Sequence, residues 1–452
     1  MGVTKITCYG GVAQIGGNKI LVEDRDARIW LDMGATFGFG SEFFVEYLTA
    51  RKRFGLRDYF ALGLLPKLPG LYSPEMLAPA SFDYEPPRFS GVFISHIHFD
   101  HTNHLQFLDP SIPVHLGAGT KIILDSWQTT ATQMDLGDHD YRPFRTGQSV
   151  SADGVDTEPV HVDHSAPAAY GFLLHTSDGA IAYTGDLRQH GPHAEMTRDF
   201  IAAAAAAKPV CLITEGTRVA PVDPRKNLSE AQVKERSIAT AQRAKGKIVI
   251  ATFYPRDVDR MRTFLEVAKE VERKVVLQPK AAHLLLSLAA DRRIQIPDVL
   301  RDPEILVYDR QMIAPKVWER NLLAQLRSKV VTSEYVHQHQ GEILVQLDFE
   351  TLPELIDIKP APGSPFIHSK SEPIEENDEV EATLRNWIRF FQLRRHQFHA
   401  SGHMSEREIA DMVKEIAPKI VIPVHTEHPE RFTRFAPHVV QPVREAPIPL
   451  TG

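Results

Sequence analysis

The first third of the chain alternates short apolar runs with turn residues. Ile6–Tyr9, Lys19–Glu23 and Arg28–Asp32 alternate apolar and polar positions and are separated by Gly10-Gly11, Gly16-Gly17 and Asp24–Asp26, so each reads as a strand. Between about 40 and 80 the spacing changes. Phe43, Phe44, Tyr47 and Leu48 recur at helical intervals, and Leu64-Leu65-Pro66 and Leu68-Pro69-Gly70 interrupt the chain beyond them. A helical excursion between two strands is predicted there. Gly91–Ser95 is an apolar buried-strand run, and Val160–Val162, Gly171–His175, Ala180–Thr184 and Val210–Thr214 are further strand candidates. From about 228 helices and strands alternate: a helix near Ser229–Lys245, a strand at Lys247–Thr252, a helix at Asp257–Glu270 and a strand at Lys274–Gln278. That alternation predicts a parallel sheet with crossover helices. Glu372–Glu381 reads as a solvated acidic loop leading into a helix over Ala382–Phe391. An α/β domain inserted within a β-rich one is the organisation these patterns support.

Length and charge narrow this picture. At about 150 residues per domain, 452 residues make two or three domains, and 43% hydrophobic with 24% charged residues is globular composition. The 51 Lys and Arg against 58 Asp and Glu give a net charge of −7, which excludes a blanket nucleic-acid coat and leaves room only for a local basic groove. Cys8 and Cys211 cannot build a disulfide framework, so a reducing cytoplasm is expected. Met1–Gly11 holds one Lys and no apolar core, so a secretory leader is not expected, and Ala202–Ala207 is far shorter than the ~20 residues of a membrane span. The unusual number is 21 histidines, against 11 tyrosines. Histidine's special uses are metal ligation and proton transfer.

Those uses converge on a few strand ends. Ser95-His96-Ile97-His98-Phe99-Asp100-His101 leaves the apolar Gly91–Ser95 run directly. Alternation points His96 and His98 to one side, and Asp100 and His101 come next on a turn. Imidazole and carboxylate ligands so close together suit borderline metals such as zinc. A surface His-rich loop is the blander alternative, but an apolar strand feeds straight into this run. Further ligands are expected at other strand ends: His164 after Val160–Val162, and Asp186 after Ile181–Tyr183, placed to bridge two metals ~3.5–4 Å apart. Ile420–Val424 ends in His425, a candidate for the second metal's shell. His399-Ala400-Ser401-Gly402-His403 precedes a helix opening at Ser405, a phosphate site in which His399, Ser401 and Gly402 are candidates. His403 is the candidate general acid, oriented by Glu215 at the end of Val210–Thr214.

These residues resemble the metallo-β-lactamase superfamily, and within it the β-CASP branch of RNA-processing nucleases, the RNase J group in particular. Asp32 in Leu31-Asp32-Met33-Gly34 matches the first motif, His96, His98, Asp100 and His101 the second, His164 the third and Asp186 the fourth. Glu215, His403 in His-x-Ser-Gly-His and His425 in Ile-Pro-Val-His-Thr-Glu match the branch's own motifs. The resemblance implies a four-layer αβ/βα fold: residues 1–214 as its first part with the helical excursion at about 37–85, an inserted α/β β-CASP domain over 215–392, and a return over 393–452. It implies one zinc held by His96, His98 and His164, another by Asp100, His101 and His425, with Asp186 between them and a metal-activated hydroxide attacking phosphorus. Three positions depart from the group. Phe253-Tyr254-Pro255-Arg256-Asp257 stands where a Ser-Asn pair usually contributes to a phosphate pocket, leaving Arg256 as the phosphate candidate. Glu215 replaces the usual Asp, and Thr102-Asn103-His104 replaces a Gly-containing turn.

The expectation is therefore a zinc-dependent ribonuclease acting on single-stranded RNA, exonuclease, endonuclease or both. Two Zn2+ are expected, with Mn2+ or Fe as alternatives; the partner is RNA and no membrane, and a homo-oligomer is left open. A DNA nuclease is the nearest alternative. A small-molecule ester or amide hydrolase needs neither a lid domain nor a phosphate cradle, and an inactive scaffold paralogue would have lost ligands, whereas all seven are present. Arg51-Lys52-Arg53 with Arg57, Arg394-Arg395, and Arg256, Arg260 and Arg262 would line a basic groove if they flank the cleft.

Overall fold

The computed structural model describes residues 3–45, 47–131, 135–223, 228–371 and 379–450. Two sheets stack face to face. The first runs 447–449, 5–10, 19–24, 27–31, 91–94, 114–117, 141–144, antiparallel up to Ala27–Leu31 and parallel beyond it. The second runs 420–423, 211–214, 179–183, 169–176, 155–162, 150–152, with its parallel half at the Ile420–Pro423 edge. Ile20, Leu31, Phe93, Phe172, Ile181 and Ile213 fill the space between them. Their apolar inward positions are what the alternation demands of packed sheets.

Helices cover both outer faces. Ala194–Ala207 and Glu406–Ile416 lie on the second sheet, burying Phe200, Ala204, Ile409 and Met412. Ala118–Thr130 and part of the 37–85 excursion cover the first, burying Phe60, Leu71, Ile123 and Leu124. This is the four-layer αβ/βα arrangement. A third, wholly parallel sheet of seven strands spans 249–397 in the order 330–331, 305–308, 274–277, 343–346, 249–252, 365–368, 394–397. Helices Val258–Glu270 and Pro279–Leu288 pack on one of its faces.

The helical spacing of Phe43–Leu48 does not produce a helix. Gly40 takes a left-handed turn (φ 76°), and Val45 and Leu48 form an isolated antiparallel bridge. Phe43, Tyr47 and Leu48 are exposed and only Phe44 is half-buried, against Tyr59, so the apolar period has little to stabilise it. The helices of the excursion are instead Arg57–Ala61 and Pro74–Leu77. In the acidic loop, residues 372–378 lie outside the described residues, and the helix beyond them is Glu379–Phe390.

Register decides where the chemistry goes. Leu31 pairs Phe93, so Asp32 and Ser95 leave neighbouring parallel strands at one end; Tyr183 pairs Ile213 and Thr214 pairs Pro423, bringing Asp186, Glu215 and His425 to a common rim. The space there is closed by glycines. A Cβ on Gly34 would stand 1.6 Å from the Asp100 carbonyl oxygen. Gly34→Ala is expected to destabilise the protein by about 1–3 kcal/mol through overpacking and to displace the 96–101 loop, read as a lower unfolding midpoint together with reduced metal content.

Candidate metal centre

Three groups of ligating atoms, each within 4.8 Å of one another, meet at the shared rim: His96, His98, His164 and Asp186; Asp100, His101, Asp186 and His425; and Asp186, Glu215 and His403. In the first, His98 Nδ1 lies 3.0 Å from His96 Nε2 and 3.1 Å from His164 Nε2. In the second, His425 Nε2 lies 2.9 Å from Asp100 Oδ2, and His101 Nε2 lies 3.2 Å from Asp186 Oδ2. Four ligands at ~2.0–2.1 Å from a tetrahedral zinc stand about 3.3 Å apart, so these separations suit a cation. Two buried atoms in the cluster, His101 Nε2 and Asp186 Oδ1, have no hydrogen-bond partner among the described residues, as inward-facing ligand atoms would.

Outer contacts set which nitrogen faces inward. Asp32 Oδ2 lies 2.7 Å from His101 Nδ1, accepts from Ser95 Oγ at 2.8 Å and from the Tyr183 hydroxyl at 2.5 Å, and its Oδ1 accepts from the Ser95 N–H. The Gly402 carbonyl takes His164 Nδ1 at 2.6 Å, and Thr217 Oγ1 holds His425 Nδ1 at 2.8 Å while donating to Glu215 at 2.7 Å. Each partner leaves Nε2 for the interior. Asp32 and His425 both hold left-handed backbone (φ 59° and 53°), a strain that the surrounding contacts maintain.

The electrostatics match. Burial pushes His96 and His164 well below the usual imidazole range and His98 down to about 4. Burial disfavours the charged form of Asp100 too, but the His101 and His425 imidazoles outweigh it and hold the carboxyl at about 2. His425 is likewise opposed by burial, yet Asp186 and Asp100 raise it to about 9. The carboxylates thus draw positive charge into a dry site.

The remaining candidates occupy the edge of the cleft. His403 Nδ1 lies 3.0 Å from Glu215, whose other contacts are the N–H groups of Leu187 and Thr217. Ser401 Oγ accepts from the His403 N–H, and Gly402 has no room for a Cβ, which would meet Ser165 Oγ at 2.6 Å. In the helix after them Ser405 and Glu408 cap each other reciprocally, which takes up the Ser405 and Glu408 N–H groups. His399 bonds the Ser369 carbonyl, and burial holds it neutral at about 3. Arg256 lies 3.8 Å over the Trp127 ring, without an ion pair among the described residues. Arg260, expected in a basic groove, is fully buried and paired with Glu230 at 2.6 Å; Arg395 is paired with Glu381. Sequence reasoning missed Ser95, Tyr183 and Thr217. Their only signal in sequence was nearness to His96, Asp186 and Glu215 at strand ends.

A family model described as a beta-lactamase superfamily domain matches residues 68–252, and one described as a Zn-dependent metallo-hydrolase RNA specificity domain matches 391–438. Ribonuclease J of Sinorhizobium meliloti is 26% identical over 375 residues, covering 80% of this chain and 62% of the relative. Ribonuclease J of Helicobacter pylori (strain J99) is 22% identical over 450 residues, 94% of this chain and 56% of the relative. Ribonuclease J of Pyrococcus abyssi is 23% identical, with 94% and 90% covered. The chain thus spans less than two thirds of the length of the first two. A crystal structure of an Enterococcus faecalis protein of unknown function superposes with a TM-score of 0.78 over 99% of this chain and 100% of that one, at 23% identity. Asp32→Asn, which removes a carboxylate from behind His101, is expected to weaken metal affinity ~10–100-fold, measured by competition with a chromogenic chelator.

Proposed function

This chain belongs to the metallo-β-lactamase superfamily, in its β-CASP, ribonuclease J-like branch, and on that footing we propose that it hydrolyses single-stranded RNA as a two-metal phosphodiesterase. The observation that carries the reading is the sharing of Asp186 between two ligand groups, His96, His98 and His164 on one side and Asp100, His101 and His425 on the other. Two Zn2+ held there, or Mn2+ or Fe in their place, would supply Lewis acidity and an activated water.

The chain's own residues do the rest. Asp32, Thr217 and the Gly402 carbonyl fix the ligand rings, which keeps the ligand cage preorganised. His403 has Nδ1 engaged by Glu215, so its Nε2 is the nitrogen left to pass a proton to the leaving oxygen. Glu215 is completely buried and answers to two backbone N–H groups, so the imidazole is held against a fixed carboxylate. Arg256, above Trp127 and without an ion pair among the described residues, is the candidate contact for a substrate phosphate, and His399 would offer a hydrogen bond rather than charge. The buried free thiols Cys8 and Cys211 fit a reducing, cytoplasmic setting. No helix among the described residues is long and apolar enough to cross a membrane.

Matched 5′-phosphate and 5′-hydroxyl RNA, the DNA equivalent and a β-lactam, assayed beside metal content, test the reading; cleavage confined to the β-lactam overturns it. His403→Ala is expected to lower RNA cleavage ~10²–10⁴-fold with metal content unchanged, whereas Asp100→Ala loses both. Undiminished cleavage in either purified, folded variant removes the assignment.

A further inference from the structure

The excursion leaves apolar side chains in water beside the metal loop. Phe37 is 74% exposed and Tyr47 88% exposed, with Val45 and Leu48 at 60% each. Exposed apolar side chains gathered on one short segment are a candidate interaction surface, unlike single residues scattered over a protein. Phe37 stacks on Phe99, with ring centroids 6.5 Å apart and planes 22° from parallel. Phe99 stands between His98 and Asp100, so the exposed ring is one stacking step from the ligand loop.

Positive charge is concentrated in one stretch of the excursion, Arg51-Lys52-Arg53 with Arg57, in a protein of net charge −7. Two residues along from Phe37, Phe39 stacks on Tyr59 at 5.7 Å, which ties this wall to the Arg57–Ala61 helix. At the start of that helix the guanidiniums of Arg51, Arg53 and Arg57 surround the Phe54 ring at 4.4, 4.7 and 5.4 Å. Asp58 forms its ion pair with Arg51, so Arg53 and Arg57 keep donors facing solvent. An open aromatic face next to exposed guanidiniums is the combination that holds an unpaired nucleotide strand: the base stacks and the backbone tracks the charge.

We propose that the wall carrying Phe37, Arg53 and Arg57 is a stacking platform for single-stranded RNA, on which an unpaired base lies against Phe37 while Arg53 and Arg57 take the adjoining phosphates. It rests on the ribonuclease reading and adds the strand's path to it. The test is fluorescence anisotropy of the full, metal-loaded chain with a labelled phosphorothioate oligoadenylate, which resists hydrolysis, and with the corresponding duplex. Phe37→Ala, at an exposed position, is expected to weaken single-strand binding about tenfold and duplex binding not at all, with Phe37→Trp retaining affinity. Arg53→Ala with Arg57→Ala should reduce the slope of log affinity against log salt by about 1.4. Equal single-strand affinity for wild type and Phe37→Ala overturns the platform, as does an equal loss for both probes. Self-association that Phe37→Ala disperses assigns the wall to a second copy and overturns it too. Wild-type RNA hydrolysis, scored separately, shows whether the underlying reading stands when the platform fails.

Discussion

One buried carboxylate organises this molecule. Asp186 Oδ2 lies within 4.0 Å of nitrogens from His96, His101, His164, His403 and His425, which arrive from four separate stretches of chain. A carboxylate taken out of water needs cationic partners, and imidazoles packed this closely need a reason not to separate. Positive charge at the centre answers both needs. The architecture around it is concerned with delivering those nitrogens in fixed orientation: parallel strand ends in register, glycines where backbones must touch, and hydrogen-bond acceptors behind the rings.

The site is also where two bodies meet. His164 comes directly after Asp163, which pairs with buried Arg188 at 3.0 Å; Arg188 reaches Glu230, and Glu230 holds Arg260 on the helix beneath the third sheet. Arg260 bonds the Ser369 carbonyl, and the Ser369 hydroxyl donates to the carbonyl of Phe398, just ahead of the His399–His403 loop. Burial, among these charges, lifts the neighbouring Asp257 carboxyl to about 7. A network of buried charges tolerates little misalignment, because any slippage leaves a guanidinium or carboxylate desolvated and unpaired. The Arg188–Glu230–Arg260 chain therefore ties the position of the third sheet to both the candidate ligand His164 and the proposed acid His403.

Legibility tracked locality. The 96–101 run was readable because a strand and its candidate ligands are contiguous, so period and chemistry sit in one window. The crossover helices were readable because their apolar faces meet a sheet. Phe43–Leu48 misled because helical spacing forms a helix only where something covers the apolar stripe, and here that stripe faces water. Arg260 misled because a charge in sequence says nothing of its partner, and Glu230 consumes it.

By itself the sequence determined the kinds of candidate ligand, the strand ends that carry them and the α/β alternation of the middle of the chain, since each is a property of a few adjacent residues. The tertiary structure alone decided that Asp186 faces both ligand groups, that Asp32, Thr217 and Gly402 choose the ring nitrogens, and that basic residues divide between buried pairs and an exposed wall. Those outcomes depend on distances between segments as far apart as Asp100 and His425, which only the register of packed sheets can set.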